Sequence, residues 1–370
     1  MIRNTPELSA VCADLRQGGI AAVDTEFVWN RTYRPRLGLV QIGSAAGEGW
    51  AVDCLTGTSP APLGDLLADP SCVKILHDAQ QDLEHLVHYT HALPRTVFDT
   101  RLAAGFAGFS SILGLQKLLE ETLRVGLPKT ETLTDWCRRP LTDAQIEYAL
   151  DDVRYLAALR LDLLARAEKL GTSACLAEEL ARFDDPVRYA DPDPREAWLR
   201  VKGAGRLRPR ECAFLRELAA VRETCAQEWN VPRTWLSDDA SLVDLALRPP
   251  RDARGLFFRH RLRNNGQRDT LAARYAAALR KGADVADADC PVAPSRFVPP
   301  EIKAKADEAL DFLRQRAEEA HIDAALFASR GTLTAYLDAP HDETNPLSSG
   351  WRYELVGRDI AARFTQPSLF

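Results

Sequence analysis

Two carboxylates stand two residues apart in Asp24-Thr25-Glu26, inside the apolar run Ala21-Ala22-Val23 to Phe27. The run follows the Gly18-Gly19 turn and reads as a short buried strand, too short for a helix of its own. Side chains alternate along a strand, so Asp24 and Glu26 project from one face. Carboxylates side by side on an apolar strand repel each other and are poorly solvated, and a divalent cation with oxygen ligands is the usual compensation. A second Asp-x-Glu, Asp82-Leu83-Glu84, falls within Asp78 to Tyr89, a stretch of helical period. A third group lies on the long helix opened by the capping box Thr142-Asp143-Ala144-Gln145 and running to about Leu170. There Tyr148 and Asp152 share a face one turn apart, while Asp151 stands about 100° around the helix. Asp152 in a partly covered stripe needs a partner, whether arginine, backbone donors or a metal.

The elements that must position these groups follow from the hydrophobic period. Residues 5–17 predict a helix with Thr5 as N-cap and Pro6 at its first position. After the Asp24 strand come strands at 37–43 and 49–53, which short turns join into an antiparallel meander. A short helix at 63–68, a strand at 73–77, the Asp78 helix, a strand at 97–100 and helices from Arg101 and over 114–123 complete an α/β pattern with a mixed sheet. Residues 184–210 hold Pro186, Pro192, Pro194 and Pro209 and mark a boundary. Residues 211–281 carry only helical periodicity, a Pro-rich linker spans 287–300, and 301–370 are helical again. Two successive helical units of similar size suggest a diverged internal repeat.

A chain of 370 residues with 46% hydrophobic and 27% charged residues is ordinary for a globular protein of two or three domains. It has no apolar signal run and no stretch approaching the roughly 20 apolar residues of a membrane span. Its eight cysteines are scattered without a Cys-x-x-Cys, against a zinc ribbon or a disulfide framework, and a reduced cytoplasmic protein is expected. The net charge of -6 is uneven: residues 201–295 hold 17 basic and 12 acidic side chains. Such a basic middle segment suits a polyanion-binding module or an unevenly charged solvated surface.

Taken in order, Asp24-Thr25-Glu26, an aspartate after the fourth strand and Tyr148-x-x-x-Asp152 resemble the three motifs of the DEDD exonucleases, in the tyrosine-bearing subgroup. His77 to Glu84, Lys129 to Trp136 and Arg139-Pro140-Leu141-Thr142 extend the resemblance to the bacterial ribonuclease D family. Each helical unit resembles the HRDC domain. The first carries Trp235-Leu236-Ser237-Asp238 and Leu242; the second carries Leu326 to Arg330 and Gly350-Trp351-Arg352. The resemblance covers essentially the whole chain. It implies an RNase H-like α/β exonuclease domain over 1–190, a mixed sheet flanked by helices. Two all-α HRDC-like domains, 207–285 and 298–370, are implied to follow.

The same resemblance implies a 3′→5′ exoribonuclease that releases nucleoside 5′-monophosphates and trims 3′ ends of tRNA precursors and small structured RNAs. Asp78 and Asp82 are both candidates for the middle aspartate, and the family pattern assigns Asp82. Asp78 is then a charge at a helix N-terminus and Asp99 a structural residue. Two ions, Mg²⁺ or Mn²⁺, are implied: Asp24, Glu26 and Asp152 hold the first, and Asp24 bridges to the second, which Asp82 supports through solvent. Tyr148, a poor base at neutral pH, orients the attacking water. Phe27 could stack on the terminal base or be a buried strand residue, and Lys129 could meet a phosphate. Arg206, Arg208 and Arg210, with Arg259, Arg261, Arg263 and Arg268, could follow an RNA backbone or form a solvated face. The alternatives are a DNA 3′→5′ exonuclease and an inactive RNA-binding scaffold. The tandem helical tail favours RNA, and the five intact site residues speak against a scaffold. A monomeric enzyme without a membrane partner is expected.

Overall fold

Strand alternation decides the architecture of the first 190 residues. The computed structural model describes residues 1–29, 31–127, 134–250, 256, 258–293 and 298–364. Its strands are β1 Ile20–Val28, β2 Arg36–Gly43, β3 Gly49–Asp53, β4 Val73–Leu76 and β5 Val97–Asp99. They form one sheet in the order β3-β2-β1-β4-β5. β2 and β3 are antiparallel, whereas β1, β4 and β5 run parallel. The connection over residues 29–35 is too short for the crossover a parallel pair needs, so β2 runs antiparallel to β1.

Helices cover both faces. On one side α1 Thr5–Gly18, α2 Ala61–Ala68 and α3 Ala79–Thr90 bring Leu8, Leu15, Leu66, Leu83 and Leu86 against Ala21 and Val23 of β1. On the other, α4 Thr100–Phe106, α5 Leu115–Leu123, α6 Asp143–Arg154 and α7 Leu156–Leu170 pack Phe106, Leu118, Val153, Leu156 and Leu163 against Ala22 and Ile75. Neighbouring residues of β1 thus enter opposite cores, as the pleat requires. α8 Ser173–Ala181 follows.

Two local readings of the sequence are corrected. The N-cap of α1 is Asn4, not Thr5: Asn4 Oδ1 accepts from the Glu7 N–H at 2.9 Å, while Thr5 Oγ1 accepts from the Ser59 N–H at 3.0 Å. The helix opened by Thr142 is two helices, broken at Tyr155, where φ is −107° and ψ −3°. The capping box itself is complete, with Gln145 N–H to Thr142 Oγ1 at 3.2 Å and Thr142 N–H to Gln145 Oε1 at 2.8 Å. The break lets α6 lie against β1 and β3 while α7 packs on β1, β4 and α4.

The chain divides into two compact units. One is made of Trp29–Arg36 and Ala190–Phe297. It contains α9 Pro209–Trp229, α10 Arg233–Leu236, α11 Asp239–Leu247 and α12 Asn265–Ala283, around Leu215, Leu218, Leu242, Leu271 and Tyr275. Within it the Tyr33 hydroxyl donates to Glu223 at 2.5 Å.

The other unit joins the sheet and its helices to Val298–Phe370. Its last part holds α13 Pro300–Glu319, α14 Ala324–Phe327, α15 Arg330–Asp338, α16 Gly350–Arg352 and α17 Arg358–Phe364. A long helix, a single turn and a nine-residue helix come in the same order as α9, α10 and α11. These helices share a core with α4, α5 and α7. Trp351 lies edge-on to Phe106, centroids 5.3 Å apart, and its indole N–H donates to Glu179 at 3.0 Å. The Asp323 N–H donates to the Gly105 carbonyl at 2.8 Å, and its carboxylate accepts from the Ser111 N–H at 2.5 Å. Among the described residues no helix is long and apolar enough to cross a membrane.

Truncating Trp351, which is buried, should therefore destabilise the unit that carries the sheet. Trp351→Ala is expected to cost about 3–5 kcal/mol. Leu161→Ala, at a site 63% exposed, should change stability by less than about 0.5 kcal/mol. Urea denaturation of the two variants beside the parent chain measures both.

Candidate active site

The C-terminal part of β1 carries Asp24 and Glu26 on the face toward α6, the helix that bears Tyr148 and Asp152. Oxygen atoms of Asp24, Glu26 and Asp152 all lie within 4.8 Å of one another. Asp82 arrives from the other layer, on the first turn of α3. It is buried, and one carboxyl oxygen accepts a short hydrogen bond from the Thr25 hydroxyl. Thr25 sits between Asp24 and Glu26 and points to the opposite face, so one tripeptide serves both layers. Three of the four predicted carboxylates thus form one cluster, and the fourth stands beside it as a charge felt by Asp24 and Glu26.

The decoys have other partners. Asp151 pairs with Arg154. Asp78 begins α3 in the left-handed region at φ 63°, makes no cap bond with its side chain and pairs with Arg101. Asp99 is structural. Its carboxylate accepts from the N–H groups of Asp78 at 3.1 Å, Ala79 at 2.9 Å, Arg101 at 2.9 Å and Leu102 at 3.2 Å. One buried side chain so caps α4 and ties down the first turn of α3, which fixes Asp82. Phe27 is partly buried, on the α3 side, edge-on to His85 at 4.2 Å between centroids. Lys129 lies outside the described residues.

Charge dominates the site. Among the described residues, the charged neighbours that act on Asp24, Glu26, Asp82 and Asp152 are acidic. Burial, and then Asp82, Asp152 and Glu26, push the Asp24 carboxyl far above its usual range. Burial, and then Asp152 and Asp82, push Glu26 up to about 8, against one hydrogen bond from Trp136. Burial raises Asp82 to about 7 despite the Thr25 bond, and burial followed by Asp151 raises Asp152 to about 7. Tyr148, half-buried among these anions, is pushed up to about 12 by burial first and Asp152 second.

This donor set fits a divalent cation. Hard oxygen ligands converge, no cation of the described residues is among the charges acting on them, and a neighbouring buried amide is left open. That amide is Gln41 on β2, fully buried with neither polar atom of its side chain bonded. A Cβ on Gly43 would stand 3.2 Å from Ala22 Cβ, so these two residues lie side by side. Two residues further along antiparallel strands, Gln41 lies beside Asp24. Sequence reasoning assigned no role to Thr25, Gln41 or Trp136. The signals available were a hydroxyl between two acids, a glutamine in an otherwise apolar strand and a tryptophan in a conspicuously polar segment.

Residues 1–168 match the family model described as 3′-5′ exonuclease. A ribonuclease D of Zymomonas mobilis is 33% identical over 366 residues, covering 98% of this chain and 93% of that protein. A ribonuclease D of Pseudomonas paraeruginosa is 35% identical over 368 residues, covering 97% and 96%. Among solved structures, Escherichia coli RNase D, an exoribonuclease involved in structured RNA processing, aligns with a TM-score of 0.85 at 28% identity, covering 99% of each chain.

Carboxyls whose pKa is raised on folding bind more protons folded than unfolded. Stability from this cluster is therefore present at low pH and is lost as pH rises from about 4 toward 8. A cation must displace those protons, so its affinity and its stabilising effect rise over the same window. In EDTA the Tm should fall between pH 6 and pH 8. The increase in Tm on adding Mn²⁺ should be larger at pH 8 than at pH 6. Thermal unfolding at the two pH values, with and without the ion, checks both.

Proposed function

The chain belongs to the ribonuclease D family, and on that premise we propose that Asp24, Glu26, Asp82 and Asp152 hold two Mg²⁺ or Mn²⁺ ions at an exonucleolytic site. The protein is a metal-dependent 3′→5′ exoribonuclease. The observation that carries the site assignment is the convergence of Asp24, Glu26 and Asp152, whose charged neighbours among the described residues are acidic. Asp24, Glu26 and Asp152 would hold one ion. Asp24 and Asp82 would serve the second ion.

Bound cations would supply the positive charge that makes a water acidic and stabilises the leaving 3′ oxygen. Water oxygen forms a bond to phosphorus, the bond to the 3′ oxygen breaks, and a proton ends on that 3′ oxygen. The product is a nucleoside 5′-monophosphate. Tyr148 keeps its proton at neutral pH, so its role is to hold the water by a hydrogen bond rather than to deprotonate it. Phe27, partly buried and braced by His85, offers an aromatic edge for the terminal base. The 3′ ends of tRNA precursors and other small structured RNAs are the proposed substrates. The tandem helical order after the sheet favours RNA over DNA.

A 5′-labelled single-stranded RNA and its DNA counterpart, incubated with Mg²⁺, Mn²⁺ or EDTA, test this directly. RNA should shorten in single steps from its 3′ end, and EDTA should abolish the ladder. Asp24→Ala should lose at least about 10³-fold in kcat, and Tyr148→Phe about 10²-fold with KM nearly unchanged. Faster loss of DNA, or metal-independent cleavage, would overturn the reading.

A further inference from the structure

Trp136 touches two members of the site at once. Its side chain, whose one polar group is the indole N–H, is the neighbour that holds the Glu26 carboxyl down against the rise that burial causes. Its ring stacks on Tyr148 at 6.2 Å between centroids and 24° between planes. The side chain is 5% exposed and packs with Leu39, Ala51, Leu141 and Ala149 on the sheet face that also bears Glu26. The residue belongs neither to the sheet nor to α6. It sits on the connecting segment that leads into Thr142, so something must hold that segment in place.

The hold is an ion pair between buried Asp53 and half-buried Arg139. Asp53, at the end of β3 and 1% exposed, receives Arg139 Nε at 2.8 Å and Nη2 at 2.7 Å. The same guanidinium donates to the Trp136 carbonyl at 2.8 Å and to the Gly38 carbonyl at 2.8 Å. Arg139 thus ties the backbone of Trp136 to β2 and β3 together, with the planar fork that suits this geometry. Gly38 completes the fit: a Cβ there would stand 2.4 Å from the Trp136 carbonyl oxygen, so the segment lies directly on β2 only because position 38 has no side chain.

We propose that Trp136, clamped by the Asp53–Arg139 pair, is the positioning residue that sets Glu26 as a metal ligand and Tyr148 as the water-holding group. This rests on the metal-site reading above and adds a shared support for its two halves. The two contacts are chemically separable. The indole N–H fixes the orientation of the Glu26 carboxylate and leaves its other oxygen to a cation. The ring face restrains Tyr148, which α6 alone leaves half-buried.

Trp136→Phe removes the N–H and keeps a ring; Trp136→Leu removes both. Mn²⁺ affinity, measured by calorimetry, should fall about 10- to 100-fold in both variants. At saturating Mn²⁺, kcat on RNA should fall less in Trp136→Phe, which keeps a ring against Tyr148, than in Trp136→Leu. It should fall about 10- to 100-fold in Trp136→Leu, with KM little changed. An independent readout needs no substitution at Trp136. The indole ¹H–¹⁵N resonance of Trp136 should shift when Mg²⁺ is added to the parent protein and stay fixed in Glu26→Gln. Equal Mn²⁺ affinity in the parent and Trp136→Phe, or an indole resonance indifferent to Mg²⁺ while calorimetry shows the ion bound, overturns the assignment of Trp136 alone. A parent protein that binds neither ion overturns the metal-site reading together with it.

Discussion

The crowding of like charge at the end of β1 is the constraint on which the rest of the molecule depends. Two unit charges within 4.8 Å repel by about 3–4 kcal/mol at an effective dielectric of about 20. Asp24 has two such neighbours, Glu26 and Asp152, and also feels the charge of Asp82. Among the described residues no lysine or arginine appears in the charges that act on this cluster, so its members take up protons or a cation. An arrangement this unfavourable persists only on a rigid support. That support is the parallel pairing of β1 with β4, and two apolar cores that grip alternate residues of the same strand.

Convergence on one point from two layers explains why the sheet has this topology. Asp24 and Glu26 leave β1 toward α6, while Thr25 leaves it toward α3 and meets Asp82. A single three-residue stretch so connects both helical layers to the site, and a register slip of one residue would exchange the two faces. Around it stand structural carboxylates that do no chemistry. Asp99 accepts four backbone N–H groups and fixes where α3 starts. Asp53 holds Arg139 and through it the segment bearing Trp136. These acids are satisfied by donors, whereas the four at the site are mostly surrounded by other acids. The difference in partners, more than the residue type, separates scaffold from site.

Local pattern was enough to read the strands, the face shared by Asp24 and Glu26, and the face shared by Tyr148 and Asp152, because strand and helix periods fix these without tertiary information. The choice between Asp78 and Asp82 came from family resemblance. In the structure the difference is physical: Asp78 pairs with Arg101, and Asp82 is buried against Thr25. What stayed illegible depends on contacts distant in sequence. Thr5 looked like the cap of α1, yet its hydroxyl is engaged by Ser59, and Asn4 caps instead. The break at Tyr155 has no proline or glycine to announce it; it separates a helix over the meander from one inside the core. Trp351 docks on Phe106 and Glu179, partners more than 170 residues away. The Arg139–Asp53 pair, 86 residues apart, is of the same kind.

Tyr148 shows how the electrostatics of the site divides labour among its residues. Burial and the neighbouring anions raise its pKa to about 12, so at neutral pH the phenol is a hydrogen-bond donor and acceptor and not a base. Neutralising the carboxylates would remove the charge contribution of Asp152, Glu26 and Asp24, but the larger contribution, burial, would remain. An ordinary phenol already titrates near 10, so the hydroxyl keeps its proton at pH 7 in either condition. Its usefulness lies in that constancy. While the carboxylates change protonation with pH and cation, the Tyr148 hydroxyl keeps one proton and, stacked on Trp136, one orientation. Acidity has to come from the charge the carboxylates gather, and geometry from the aromatic pair beside them.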